Sequence, residues 1–314
     1  MHVEASTLGR LRRLELSPVR FLRLAILNAG MLWLIVVTGA AVRLTGSGLG
    51  CRHWPGCEKG RPLPEKDYHA YIEFGNRLVG GVTIAVTLLV ALAATRTTAL
   101  PRWARRLALA VFLGTFAQAP LGYLAVETDL RWPVVATHLL LSMVVLAGAV
   151  VLALEAFAAR AGRAEPVVPL ELRRLGIASA ASCLVLLVSG TLATAAGPHS
   201  GGGAEHIDRL WRLQPLVYVH AIAVGVFGLS LVFVLGYLAA RRDRSRRLFK
   251  LGLAVLALLL VQMALGEIQY RTHLPWPLVL VHVGFAAAVW TALVVFVTVL
   301  WRPPAAFAQG PHVD

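Results

Sequence analysis

The chain has 314 residues, 58% of them hydrophobic and 15% charged, with a mean hydropathy of +0.71, whereas soluble domains are about a quarter charged. That balance excludes a solvated, disordered chain, and ordinary glycine and proline contents exclude a collagen-like or low-complexity one. The chain reads as a membrane protein, so its formal net charge of +14 poses the question of which side of a bilayer is basic, and nucleic acid is not needed as a partner.

A hydrocarbon core takes roughly 20 apolar residues per helix. Eight segments qualify, near 22–42, 71–94, 104–126, 134–158, 175–195, 214–239, 248–268 and 278–301. The expected fold class is all-α integral membrane, with eight transmembrane helices forming two pseudo-symmetric four-helix bundles. Residues 1–158 form the first half, 170–302 the second and 303–314 a tail. Arg10, Arg12, Arg13, Arg20 and Arg23 precede or open the first span. That span is too long for a signal h-region and "VVTGAAVRLTGSG" offers no obvious cleavage site, so it reads as an anchor.

The loop after the first span holds Cys51 and Cys57, with Pro55 and Gly56 between them in a stretch able to turn and bring the sulfurs together. A structural staple, a redox-active pair and a zinc knot with His53 and His69 are the readings, the last disfavoured by irregular spacing. Counting loops by the positive-inside rule, one side carries twenty Lys/Arg and the other nine. Both termini are therefore expected in the cytoplasm of a multi-pass plasma-membrane protein, with the cysteine loop outside, where disulfides persist.

The second span carries Glu73, Asn76 and Arg77, and the fourth, sixth and eighth carry His138, His220 and His282. Each histidine follows a proline by five positions, after Pro133, Pro215 and Pro277. Proline suits a helix's first turn, so all three imidazoles lie at one depth, roughly 7–8 Å below the helix start at a rise of about 1.5 Å per residue. An internal repeat at an offset of 144 aligns "QAPLGYLAVETDLRWPVVATH" with "QMALGEIQYRTHLPWPLVLVH", pairing Gln118 with Gln262, Gly122 with Gly266 and His138 with His282. At the same offset His220 falls opposite Asn76, and "VTGAAVRLTG" resembles "VSGTLATAAG" at an offset of 151.

Lone intramembrane histidines often bond a neighbouring helix, but three at matched depth point to ligation. Imidazoles on facing helices of a bundle can hold an iron porphyrin from both sides. His220 and His282 thus read as a bis-histidine site for a permanently held haem. The first half pairs His138 with Asn76, a poor axial ligand, and places Glu73 on the same helix face as Asn76. Glu73 reads as a chemical group, or else as an interfacial carboxylate paired with Arg77 or a loop arginine. Arg43, Arg131, Arg209, Arg212 and Arg271 stand at span ends, as haem-propionate partners or as anchors to lipid headgroups. The run "RRDRSRR" reads as a topology determinant facing anionic lipid.

At these residues the chain resembles the heme A synthase family. The resemblance is carried by "TGAAVRLTGSGLGCRHWPGC", "EFGNRLVG", "Q..LGYLAVETDL...VVATHLLLS", "SGTLATAAGPHSG" and "GEIQYRTHLPWPLVLVHVG", which together span nearly the whole chain. The "GPHSG" and "EFGNR" variants look like its actinobacterial branch. The resemblance implies a membrane oxidoreductase that converts the C8 methyl of heme O to the formyl group of heme A by successive hydroxylations, for cytochrome oxidase assembly. It maps a haem b cofactor onto His220 and His282, the substrate ligand onto His138, the catalytic glutamate onto Glu73 and a disulfide onto Cys51 and Cys57. Heme O synthase and an electron-transfer protein are implied partners, with membrane lipid around the chain and a homo-oligomer left open. Two departures are Asn76, where many members have histidine, and the lack of a second cysteine pair, since Cys183 lies within a span. The alternatives are a membrane di-haem electron carrier, which would need neither Glu73 nor Asn76, and a transporter, which the parallel repeats and unbroken spans disfavour.

Overall fold

The computed structural model describes residues 15–51, 53–54, 56–60, 63–64, 67–199 and 210–308, and among these the regular elements are all helices. In chain order they are α1 (Pro18–Leu44), α2 (Tyr68–Thr95), α3 (Arg102–Phe116), α4 (Gln118–Glu127), α5 (Trp132–Ala161), α6 (Leu170–Ala196), α7 (Leu213–Ala240), α8 (Arg242–Arg271), α9 (Trp276–Trp301) and the short α10 (Ala305–Ala308). Taking α3 and α4 as one span, eight are long and apolar enough to cross a membrane, and the chain is a multi-pass membrane protein.

Seven of the eight expected spans each fall within one of these elements, and the helices run further at most ends. Hydropathy marks the hydrocarbon-facing residues, whereas the first turns of α1 and α2 beyond them are fixed by polar caps. Ser17 Oγ accepts from the Arg20 N–H, and Asp67 accepts from the Ala70 N–H at 3.0 Å. Proline occupies the first turn of α1, α5 and α9. The third span departs from expectation, because it is interrupted at Ala117. Pro120 explains the break: it has no N–H, and its ring crowds the carbonyl of Phe116 one turn earlier. The second half has Ala264 at the equivalent position, inside an α8 that is unbroken there.

Helix contacts run α1–α2, α2–α3, α3–α5 and α5–α1 around the first four spans, and α6–α7, α7–α8, α8–α9 and α9–α6 around the last four. The α2 and α5 helices therefore stand diagonally across one ring, and α7 and α9 across the other. The rings meet where α9 packs on α1 and α5, and where α5 packs on α6. Two indoles cross that seam: Trp33 Nε1 donates to Gly284 O at 3.1 Å and Trp290 Nε1 to Met143 O at 2.8 Å. An unpaired indole N–H is costly in hydrocarbon, so these bonds help the packing to fix the seam.

The internal repeat extends to the backbone. Asp129 and Leu130, and their repeat partners His273 and Leu274, all have positive φ, a conformation bulky L-residues rarely adopt. The Leu130 N–H donates to Ala125 O at 2.8 Å and the Leu274 N–H to Gln269 O at 2.7 Å, closing α4 and α8 in the same way. At the far end from the cysteine loop, Glu155 is 1% exposed. It is held by Arg163 and by Arg302 at 3.2 Å, which ties α5 to the segment after α9.

Candidate functional site

In the second ring, α7 and α9 present His220 and His282 to one cavity of about 370 Å³, closed on its other sides by α6 and α8. That volume suits a small-molecule or cofactor site, and the lining is largely apolar. Ser189 on α6 lies 3.0 Å from His220 Nδ1, which fixes the ring and leaves Nε2 for a ligand. On the other side, Gln262 Nε2 donates to His282 O at 2.9 Å, bracing the backbone that carries the second imidazole. His282 Nδ1 is buried without a hydrogen-bond partner among the described residues.

Glycine sets how closely the neighbouring helices approach these rings. A Cβ at Gly190 would sit 3.0 Å from His220 Cε1, and one at Gly266 would sit 3.1 Å from His282 Cε1. Both imidazoles therefore occupy room that any side chain would take. Two opposed imidazoles on diagonal helices, in an apolar cavity, suit a planar metal macrocycle bound through its two faces. They suit zinc poorly, since tetrahedral sites take about four close ligands.

The first ring repeats this plan more loosely. His138 on α5 faces Gly122 on α4, with the corresponding Cβ distance 3.6 Å, and Asn76 on α2 faces Gly39 on α1 at 4.0 Å. Each of the four polar residues at this depth therefore packs against a glycine of the preceding span. Asn76 Oδ1 accepts from Thr38 Oγ1 at 2.8 Å, so its amide nitrogen is the group with bonding capacity to spare. His138 Nδ1 is buried without a partner among the described residues.

Glu73 lies one turn from Asn76 and is 4% exposed. The Cys51 N–H donates to its Oε2 at 2.8 Å, and Arg77 pairs with its Oε1 at 2.5 Å. Arg77 also donates to His53 O at 2.6 Å and to Gly56 O. The carboxylate is thus joined to the loop closed by the Cys51–Cys57 disulfide. The Arg77 pairing is one of the two roles expected for Glu73, and it coexists with a position beside the first-ring site. With the sulfurs joined to each other, neither is free to act as a zinc thiolate, and His69 bonds Ser47 Oγ at 3.0 Å.

Of the arginines at span ends, Arg43 turns inward, donating to Thr194 O at 3.3 Å across the seam. Thr194 lines the second-ring cavity. Arg131, Arg212 and Arg271 are exposed, with Arg271 paired to Glu267 at 2.5 Å. Arg209, and Arg10, Arg12 and Arg13, lie outside the described residues. The four glycines, Ser189 and the bond made by Gln262 had no expected role. Gln262 and Gly266 were visible as matched positions of the repeat, but their partners depend on how helices pack.

A profile of the cytochrome oxidase assembly protein family matches residues 22–294, from the first span into the eighth. The heme A synthase of Symbiobacterium thermophilum is 30% identical over 287 residues, covering 85% of this chain and 90% of that protein. The heme A synthase of Bacillus pumilus is 34% identical over 151 residues, so that match spans about half of each chain, at 48% and 49%. That of Geobacillus thermodenitrificans is 44% identical over 52 residues, 17% of this chain and 16% of the relative.

Proposed function

The chain belongs to the cytochrome oxidase assembly protein family, and from that membership we propose that it is a heme A synthase, oxidising the C8 methyl of heme O to a formyl group by successive hydroxylations. The observation that carries the proposal is the pair of His220 and His282 on diagonal helices around one apolar cavity, together with their repeat partners Asn76 and His138 in the other ring. The two rings act as pseudo-symmetric halves with divided roles.

In the second half, His220 and His282 hold a haem b. Ser189 orients the first imidazole, Gln262 braces the second, and Gly190 and Gly266 set their depth. When bound, haem b supplies one-electron transfer to and from the substrate half. In the first half, His138 is the one strong ligand for heme O. The Asn76 face, a hydrogen-bond donor, leaves room for water, oxygen or a displaceable group. Glu73 accepts a proton, or stabilises the electron-poor methyl carbon, and a partly dry site strengthens either role. The Cys51 N–H and Arg77 aim its two oxygens. Both termini lie in the cytoplasm and the disulfide loop outside, with an electron-transfer protein and heme O synthase as partners. A di-haem electron carrier would have no use for a buried, aimed carboxylate beside the weaker ligand pair.

The test is to express the chain in cells that make heme O but cannot convert it, and to separate the extracted haems by chromatography. Heme A is the expected new pigment; heme O and haem b alone would leave the electron-carrier reading.

A further inference from the structure

We propose that the side-chain amide of Gln118 recognises the hydroxyl of heme O, and so lets the first half distinguish heme O from haem b. The proposal rests on the reading that heme O binds beside His138, and it comes from a difference between two positions that the repeat makes equivalent. Gln262 and Gly266 lie one turn apart on the same face of α8. Gly266 abuts the imidazole of His282, and Gln262 donates to that residue's carbonyl at 2.9 Å. Gln118 and Gly122 keep the same spacing on α4, and Gly122 faces the His138 imidazole with a Cβ distance of 3.6 Å. Gln118 nevertheless does not make that bond: its Nε2 and Oε1 are both buried without a partner among the described residues, whereas Gln262 lacks one only at Oε1.

Two substitutions between the halves account for this. Ser142 Oγ donates to His138 O at 2.8 Å and so occupies the carbonyl that Gln118 would take; the second half has Ala286 there. Pro120 interrupts the helix at Ala117, next to Gln118, where the second half has Ala264. The first half has thereby released an amide that the second half uses for bracing. A buried amide with neither group paired is expensive to keep, and a bound hydroxyl would satisfy both of its groups.

The chemistry of the two haems selects the ligand. Both have the ring, the iron and the propionates, but heme O carries a hydroxyethylfarnesyl group where haem b carries a vinyl. Gln118 lies one turn from Gly122, away from the end that carries Arg43 and Arg131. Propionates belong near those arginines, and a prenyl chain belongs in the apolar interior on the Gln118 side. A protein that holds haem b in one half has to refuse it in the other. Sites that bond a substrate hydroxyl reject the analogue lacking it, because their own polar groups are left unpaired.

The experiment titrates the purified full-length protein, carrying its second-half haem b, with heme O and separately with further haem b, and compares the two dissociation constants. The wild type is expected to favour heme O by about tenfold or more. Gln118→Leu, which removes an unpaired polar group, should bring that ratio close to one, mainly by weakening heme O. Ser142→Ala, which frees His138 O for Gln118, should lower the ratio in the same direction and decides the matter if Gln118→Leu does not accumulate. A ratio unchanged in these variants, equal weakening of both haems, or a wild type without preference would overturn the assignment. A wild type that binds neither haem in its first half would instead overturn the function from which the assignment starts.

Discussion

Adding one methyl group beside each imidazole of the second half should disturb that half alone. Contacts below 3.4 Å require the neighbour to move. For Gly190→Ala the new Cβ would lie 3.0 Å from His220 Cε1, so the ring must yield by 3.4 less 3.0, or 0.4 Å. For Gly266→Ala the corresponding figure is 3.4 less 3.1, or 0.3 Å, at His282. Functional constellations tolerate displacements of only about 0.5 Å, and the two imidazoles face one cavity, so the double variant should exceed what a ligand held between them allows. Overpacking costs roughly 1–3 kcal/mol, partly offset by alanine's better helix propensity of about 1 kcal/mol, so the proteins should accumulate. Reduced-minus-oxidised spectra and carbon monoxide binding, measured per mole of protein, should show weakened low-spin haem b in each single variant and its loss in the double one. Gly122→Ala, with 3.6 Å available, should match the wild type. Wild-type spectra in Gly190→Ala and Gly266→Ala would refute the view that these glycines set ligand depth.

Glu73→Gln keeps an oxygen for the Cys51 N–H and loses the ion pair with Arg77. Heme A formation should fall by about a hundredfold or more while haem b content stays constant, and undiminished output would remove Glu73 from the mechanism. The Cys51→Ser, Cys57→Ser double variant opens a short loop whose closure is worth about 2 kcal/mol. Thermal unfolding should begin earlier, and Glu73 should lose its loop contact; an unchanged midpoint would mean that other contacts hold the loop. Glu155→Gln leaves Arg163 and Arg302 facing a neutral partner at the far end of the seam. Because the buried carboxylate loses its charge while Arg163 and Arg302 stay partly exposed, stability should drop by only about 1 kcal/mol, read as a slightly lower midpoint with haem spectra intact.

The spans were legible in the sequence because hydropathy alone selects residues that face lipid, and the shared depth of His138, His220 and His282 followed from proline placement. The broken third span was missed although Pro120 was in view, since a proline marks either a first turn or a break and apolar windows do not separate the two. The Glu73–Arg77 pair could be anticipated from spacing along one helix. The bond from the Cys51 N–H could not, because it requires the loop to fold back onto α2. The glycines beside the imidazoles were hidden for the same reason. Gly190 meets His220 only through the register of α6 against α7, which no single-helix pattern encodes. Gln118 and Gln262 look alike in the sequence and differ through Ser142, a residue on another helix.

The central claim is that the two halves divide the work, and haem contents of the purified wild type, His138→Ala and His282→Ala proteins, made in cells supplied with heme O, test it most directly. Haem b should be present in the wild type and in His138→Ala but absent from His282→Ala, with heme O or heme A lost from His138→Ala. Loss of haem b from His138→Ala with retention in His282→Ala would contradict it.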